Sequence, residues 1–305
     1  MNATGLEVSS ATVEASGVRE LGSATKDRSQ FARVLSAYVR KCNIDLSGHV
    51  LIVGGSLEDV KVLRDVGFRR MTLSNIQPVW QAMIPSEYGP DIDAVSADVE
   101  AMDLPSDSYD FVIAHDVLHH CRSPHIALGE MLRVSRRHVA ILELNDSLCM
   151  TGLVRMKFTA PYEVTAVVHN NGESGGVRDS CIPNFAYRWN RNDMFKAVSS
   201  FLPEREFDLH VRSYWDFNVD GKSLTRRKQT RLHVFTNILG PEGFVRTLRT
   251  LQPILNRIPL VHGQGNKFFC CIEKKDDLKP WLARDGNAIV FNRTFGNPPE
   301  DQYHD

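Results

Sequence analysis

Residues 96–120 read Ser96-Ala97-Asp98-Val99-Glu100-Ala101-Met102-Asp103-Leu104-Pro105-Ser106-Asp107-Ser108-Tyr109-Asp110-Phe111-Val112-Ile113-Ala114-His115-Asp116-Val117-Leu118-His119-His120. The apolar run from Tyr109 to Ala114, preceded by a polar turn and followed by His115-Asp116, predicts a buried strand. Ile92 to Ala97 predicts another strand that ends just before Asp98. Further out, His49 to Val53 and Arg70 to Ile76 read as strands one and two, with a helix between them over Leu57 to Val66 that aligns Val60, Leu63 and Val66. Downstream, Pro124 to Val134 is helical and Val139 to Leu144 is a fifth strand. Strands separated by helices imply right-handed crossovers and a doubly wound, mainly parallel sheet, in which ligands bind beyond the carboxyl ends of the strands.

The second half is less regular. Arg191 to Leu202 predicts a helix, and Phe207–Phe217 and Asn266–Glu273 read as the last two strands of the same sheet, the last one antiparallel. The expected fold class is therefore α/β, a Rossmann-like seven-stranded sheet with helical and loop insertions over 150–190 and 218–265 that form a lid. Residues 1–29 read as a flexible polar leader, 30–275 as one domain with its core at 45–145, and 276–305 as a C-terminal tail. In 305 residues, 42% are hydrophobic and 36 Lys+Arg face 37 Asp+Glu, the balance of a globular protein with no bulk attraction to nucleic acid. No apolar stretch approaches the ~18–20 residues of a membrane span. Six cysteines without C-x-x-C spacing predict free thiols and a cytoplasmic setting.

Val50-Leu51-Ile52-Val53-Gly54-Gly55-Ser56 ends a strand in small residues and enters a helix, a turn that lets backbone approach a nucleotide. It lacks GxGxxG with a later acid, which argues against a nicotinamide or flavin site. Taken with the segment 96–120 and the helix Leu128-Gly129-Glu130-Met131-Leu132-Arg133-Val134, it closely resembles class I S-adenosylmethionine-dependent methyltransferases, in particular the subgroup acting on small molecules. The shared pattern is an acid, then Leu-Pro, then Ser-Tyr-Asp, a strand and Val-Leu-His-His, and the resemblance spans about residues 45–145.

That resemblance implies S-adenosylmethionine as cofactor. Gly54, Gly55 and Ser56 would lie under its methionine half, and Asn75 would face the ribose hydroxyls. Asp98 would accept from the adenine amino group beside the Val99 amide, and Ala114 and His115 would flank the sulfonium. The sequence departs from the family in its first motif. Ile52 stands where an acid is usual and Ser56 and Glu58 where glycines are usual, and Glu58 is expected to cap the helix instead.

Methyl transfer to a hydroxyl needs a base, and the near-neutral pKa of histidine suits that task. His119 and His120 are the candidates, with Glu143 a second candidate base and Asp146 a substrate anchor; a purely structural role is the competing reading for the His-His pair. Asp116, His119 and His120 are metal-ligand types, yet helical spacing turns adjacent residues about 100° apart, so no metal site is expected. After the loop 170–176, Tyr187 and Arg188 suit a polar ring or an anion, whereas Trp189 reads as core and Asn190 as a helix cap. Pro183-Asn184, Tyr187-Arg188-Trp189 and the Leu73-Ser74-Asn75 strand end also resemble methyltransferases found with polysaccharide genes, which implies a glycan or nucleotide-sugar acceptor. The basic run Arg226-Arg227-Lys228 with Arg231 is a weaker candidate for an anionic substrate. The expectation is an O-methyltransferase of a small molecule or glycan, with no nucleic-acid partner and a homodimer left open; the competing reading is a methyltransferase-like binding domain without activity.

Overall fold

The computed structural model describes residues 29–77, 91–217 and 230–296. Helix α1 (Ser29–Lys41) precedes strand β1 (Val50–Val53), helix α2 (Leu57–Val66) and strand β2 (Met71–Asn75). Strands β3 (Ile92–Ser96) and β4 (Tyr109–His115) follow, then α3 (Pro124–Val134) and β5 (Ser135–Asn145). An insertion carries α4 (Leu148–Arg155), α5 (Val164–His169), the two-residue strand β6 (Arg188–Trp189) and α6 (Arg191–Phe201), before β7 (Arg205–Tyr214). Helices α7 (Leu232–Leu239), α8 (Pro241–Leu255) and α9 (Pro259–His262) lead to β8 (Lys267–Leu278) and a hairpin of β9 (Leu282–Asp285) and β10 (Ala288–Phe291).

The main sheet runs β3-β2-β1-β4-β5-β8-β7. Its first five members are parallel and β8 is antiparallel to both β5 and β7, as the sequence led us to expect. Strand residues alternate between two helical layers. Val50, Ile52, Ile113 and Cys271 pack under α1 and α2, while Leu51, Val53, Val112 and Cys270 pack under α3 and α6. Because the strands are covered on both faces, they read as continuous apolar runs. Strand order reverses between β1 and β4, which places the topological switch at Val53-Gly54 and His115-Asp116.

Three features differ from the sequence reading. Residues 276–305 were expected to be a tail, but β8 continues to Leu278 and the next residues form the β9–β10 hairpin around Gly286, whose φ is +58°. The signal was Gly286-Asn287, a pair suited to a two-residue hairpin turn. Helix α2 is capped by Asp59 rather than Glu58: the Asp59 carboxylate accepts from the Ser56 amide at 2.9 Å, whereas Glu58 pairs with Lys61 at 2.7 Å. Strand β6 pairs with Leu144 and Asn145 of β5. Since β8 already flanks Leu144 and β4 ends opposite Leu142, β6 takes the place that β4 vacates. The leader, save Ser29 at the start of α1, and Arg226-Arg227-Lys228 fall outside the described residues; Arg231 precedes α7. Among the described residues no helix is long and apolar enough to cross a membrane, and the six cysteines are free thiols.

Trp189 is fully buried and packs with Met194 and Val198 of α6, while Asn190 caps that helix by accepting from the Asp193 amide at 3.0 Å. Trp189→Ala is expected to cost about 3–5 kcal/mol in chemical denaturation.

His138 of β5 is buried at 7% exposure, with Nδ1 3.2 Å from the Tyr38 hydroxyl and its ring edge-on to Phe111. Burial lowers its pKa to about 4; Glu273 opposes this, and Arg137, Lys275 and His210 reinforce it. The unfolded chain takes up this proton near the ordinary value of about 6.5, so the folded state loses stability as pH falls from there toward 4 and is unaffected by this group above it. Urea midpoints across that window should decline less steeply for His138→Gln than for the wild type.

Candidate functional site

At the switch point the chain leaves β1 through Gly54, whose φ of +56° suits glycine. A Cβ on Gly54 would stand 2.7 Å from Val117, and one on Gly55 would stand 2.3 Å from Ile52. The turn after β1 therefore lies directly against the loop after β4, with no room for a side chain between them. Ser56 does not point freely outward, since its hydroxyl donates to Asp59 at 2.9 Å. The other Asp59 oxygen meets His115 Nδ1 at 3.0 Å, and the His115 ring lies 4.5 Å from that of Phe31 in α1. His115 is thus held toward the α1 and α2 layer, while Ala114 is fully buried in the α3 layer.

After His115, Asp116 adopts a left-handed φ of +55°, a conformation that costs of order 1–3 kcal/mol and persists only when neighbours hold it. They do so here. The Asp116 amide donates to the Leu142 carbonyl at 2.8 Å, and its carboxylate takes Lys267 Nζ on both oxygens at 2.6 Å. The chain then curls into a short 3-10 turn over Leu118–His120.

Glu143, near the end of β5, is wholly buried. One oxygen accepts from the Val117 amide at 2.9 Å and the Leu118 amide at 2.6 Å, and the other takes His119 Nδ1 at 2.6 Å. His119 Nε2 faces a Glu163 oxygen at 3.2 Å, and His120 Nε2 faces the same oxygen at 3.7 Å. Burial acts to lower the His119 pKa, but the Glu143 and Glu163 carboxylates on its two nitrogens outweigh it and raise the value to about 10. Burial raises Glu163, and the two histidines more than reverse this, to about 2. His120 is shifted down by burial and by its charged neighbour. The structure thus brings His119, His120 and Glu143 into one cluster and adds Glu163, which no sequence pattern marked. Its only signal was its place inside the 150–190 insertion.

The adenosine end of the expected cofactor position lies at the ends of β2 and β3. Asn75 Oδ1 accepts from the Gln77 amide at 3.3 Å, and the Gln77 side chain pairs with Asp179. One Asp98 oxygen accepts from the Glu100 amide at 3.0 Å; the other takes Arg178 at 2.5 Å. Val99 is half-buried beside them. Asp98 thus carries the acceptor its expected role requires, but Arg178 holds it from a turn in which Arg178 and Asp179 both have left-handed φ, +51° and +59°. The residue types fit an adenosine group, a glycine turn on one side and an acidic acceptor on the other, provided that Arg178 withdraws. This contact comes from the insertion over 150–190, and no motif marked Arg178.

The three substrate candidates do not converge equally. Tyr187 donates to or accepts from His125 Nε2 at 3.0 Å, and its ring lies 5.0 Å from that of Trp189, so it is engaged in packing over α3. Arg188 donates to the Ala186 carbonyl at 3.0 Å, while its Nε is buried without a partner. Burial lowers the Arg188 guanidinium's pKa, against the opposing charge of Asp146. Asp146 and Arg188 stand beyond the end of β4, where β6 pairs with β5.

Residues 54–142 match the family model described as Methyltransferase domain. No curated protein matches the chain. Among solved structures, it is similar to the putative methyltransferase bound by the Trm112 activator from Haloferax volcanii, at 15% identity over 82% of this chain and 94% of that one, with a TM-score of 0.45. It is also similar to a possible histamine N-methyltransferase from Thermotoga maritima, at 12% identity over 81% of this chain and 91% of that one, with a TM-score of 0.44. A third is 1,6-didemethyltoxoflavin-N1-methyltransferase from Burkholderia thailandensis, at 12% identity over 81% of this chain and 78% of that one, with a TM-score of 0.43. Residues 54–142 thus carry a methyltransferase domain match on a Rossmann-like sheet, and S-adenosylmethionine is the cofactor of that domain.

Proposed function

We propose that this protein transfers the methyl group of S-adenosylmethionine to a hydroxyl oxygen of a small molecule or glycan. The observation that supports the reading is the close approach of the Gly54 turn to Val117 at the β1/β4 switch, which sets the turn expected to hold the donor against the loop that carries His119 and His120. Gly54 and Gly55 would support the methionine half, and Asn75, Asp98 and Val99 the adenosine half once Arg178 releases Asp98. Ala114 and His115 would back the sulfonium. When bound, the cofactor supplies an activated methyl group; an O–C bond forms as the S–C bond breaks, and S-adenosylhomocysteine leaves.

The chain's own part is alignment, exclusion of water and removal of the acceptor's proton. His120 and Glu163 are the groups that meet that hydroxyl; His119, expected as a base, instead has both ring nitrogens taken by Glu143 and Glu163 and is charged, so it positions Glu163. Arg188 and Asp146 flank the approach, a pairing suited to a polar, partly anionic acceptor such as a sugar nucleotide. Tyr187 shapes the wall behind them.

Calorimetric titration of the full chain with S-adenosylhomocysteine should show one-to-one binding. Asp98→Ala should weaken it by about tenfold, the worth of one hydrogen bond to a charged group. Arg178→Ala should bind at least as tightly as the wild type, because the competing partner of Asp98 is gone. No binding at high micromolar concentration would refute the reading and leave a domain without its donor. With radiolabelled donor, a panel of sugar nucleotides then tests the acceptor class.

A further inference from the structure

Adjacent histidines on a regular helix diverge, but the 3-10 turn over Leu118–His120 brings the His119 and His120 rings to a centroid separation of 4.5 Å, with 38° between their planes. Their Nε2 atoms converge on one Glu163 oxygen at 3.2 and 3.7 Å, and the three atoms lie within 4.8 Å of one another. Nitrogen and oxygen ligands at about 2.0–2.1 Å from a tetrahedral ion stand about 3.3–3.4 Å apart, so these spacings bracket those of a coordination sphere.

What surrounds the three residues has the arrangement of a metal centre. Metal-bound histidines as a rule hand their second N–H to a carboxylate or a backbone carbonyl, which fixes the tautomer and aims the other nitrogen. His119 Nδ1 meets Glu143 at 2.6 Å, and His120 Nδ1 faces the Gly176 carbonyl at 3.4 Å. The would-be carboxylate ligand is itself oriented, since Asn184 Nδ2, on a fully buried side chain, donates to Glu163 at 3.3 Å. The neighbouring acids are committed elsewhere, Glu143 to two backbone amides and Asp116 to Lys267.

We propose that His119, His120 and Glu163 bind one first-row divalent cation through two Nε2 atoms and a carboxylate oxygen. Two imidazoles and one carboxylate suit zinc or a neighbour in that row, and three protein ligands leave a coordination position open to water or to a substrate oxygen. On the methyl-transfer reading, on which only this clause rests, that oxygen is the acceptor hydroxyl, made more acidic by the cation. Cation binding itself needs no methyl donor.

The test is calorimetric titration of the chelator-stripped full chain with zinc chloride, without S-adenosylhomocysteine, together with the visible spectrum of the cobalt(II)-loaded chain. One zinc per chain is expected, with cobalt bands of a low-coordinate site. His120→Gln and Glu163→Gln, both at partly exposed side chains, should each weaken zinc binding by about tenfold or more. His210→Gln should leave it unchanged, which separates this site from the distant grouping of Cys42, His210 and Glu273. Thermal melting of the stripped variants monitors their folding. Absence of stoichiometric binding, or binding unaltered in both His120→Gln and Glu163→Gln, or binding lost in His210→Gln, would overturn the proposal. Failure of the S-adenosylhomocysteine titration would not touch it.

Discussion

A carboxylate with no exposure to water must find hydrogen-bond donors inside the protein or give up its charge, and Glu143 finds three. Two are the amides of Val117 and Leu118, and the third is His119. These bonds cross from β5 to the segment following β4 and pull it into a tight turn. The left-handed Asp116, held by Lys267 from β8, supplies the corner at which the chain leaves the strand. Three strands of the sheet are thereby joined by charged groups at their ligand-facing ends. The loop that carries both histidines consequently has little freedom to rearrange.

The same constraint shapes the opening. With β4 ended and its chain folded toward Gly54, the upper part of β5 is left without a neighbour on that side, and β6 pairs there with Leu144 and Asn145. This admits the insertion over the site. From it come Glu163, which completes the histidine cluster, Arg188, whose Nε lies buried and unpaired, and Arg178, which covers Asp98. The surface ion pair of Arg178 and Asp98 is of the kind worth little net energy, so its displacement by a ligand that offers Asp98 a donor is inexpensive.

Much of the architecture was legible because burial on both faces turns parallel strands into apolar runs, and glycine, proline and polar turns punctuate them. The helix Pro124–Val134 was read to the residue, and in the structure Ser123 caps it with proline in its first turn. The β9–β10 hairpin was overlooked because its strands are exposed and lack the apolar alternation that marks a half-buried sheet. At the site, His119, His120, Glu143 and Asp98 were recognisable from type and position. Their partners were not: Glu163 and Arg178 lie in irregular chain, 44 and 80 residues beyond His119 and Asp98 respectively, where no period links them.

The sequence by itself determined the order of strands and helices, the glycine turn after β1 and the residues available at the strand ends, since these depend on local pattern and on the chirality of crossovers. Only the tertiary structure decided that His119 and His120 share one direction, that Asp59 rather than Glu58 caps α2 and that Asp98 is covered. Those outcomes depend on which distant groups the fold brings together, and a buried carboxylate such as Glu143 reshapes a loop only once the sheet has brought the two together.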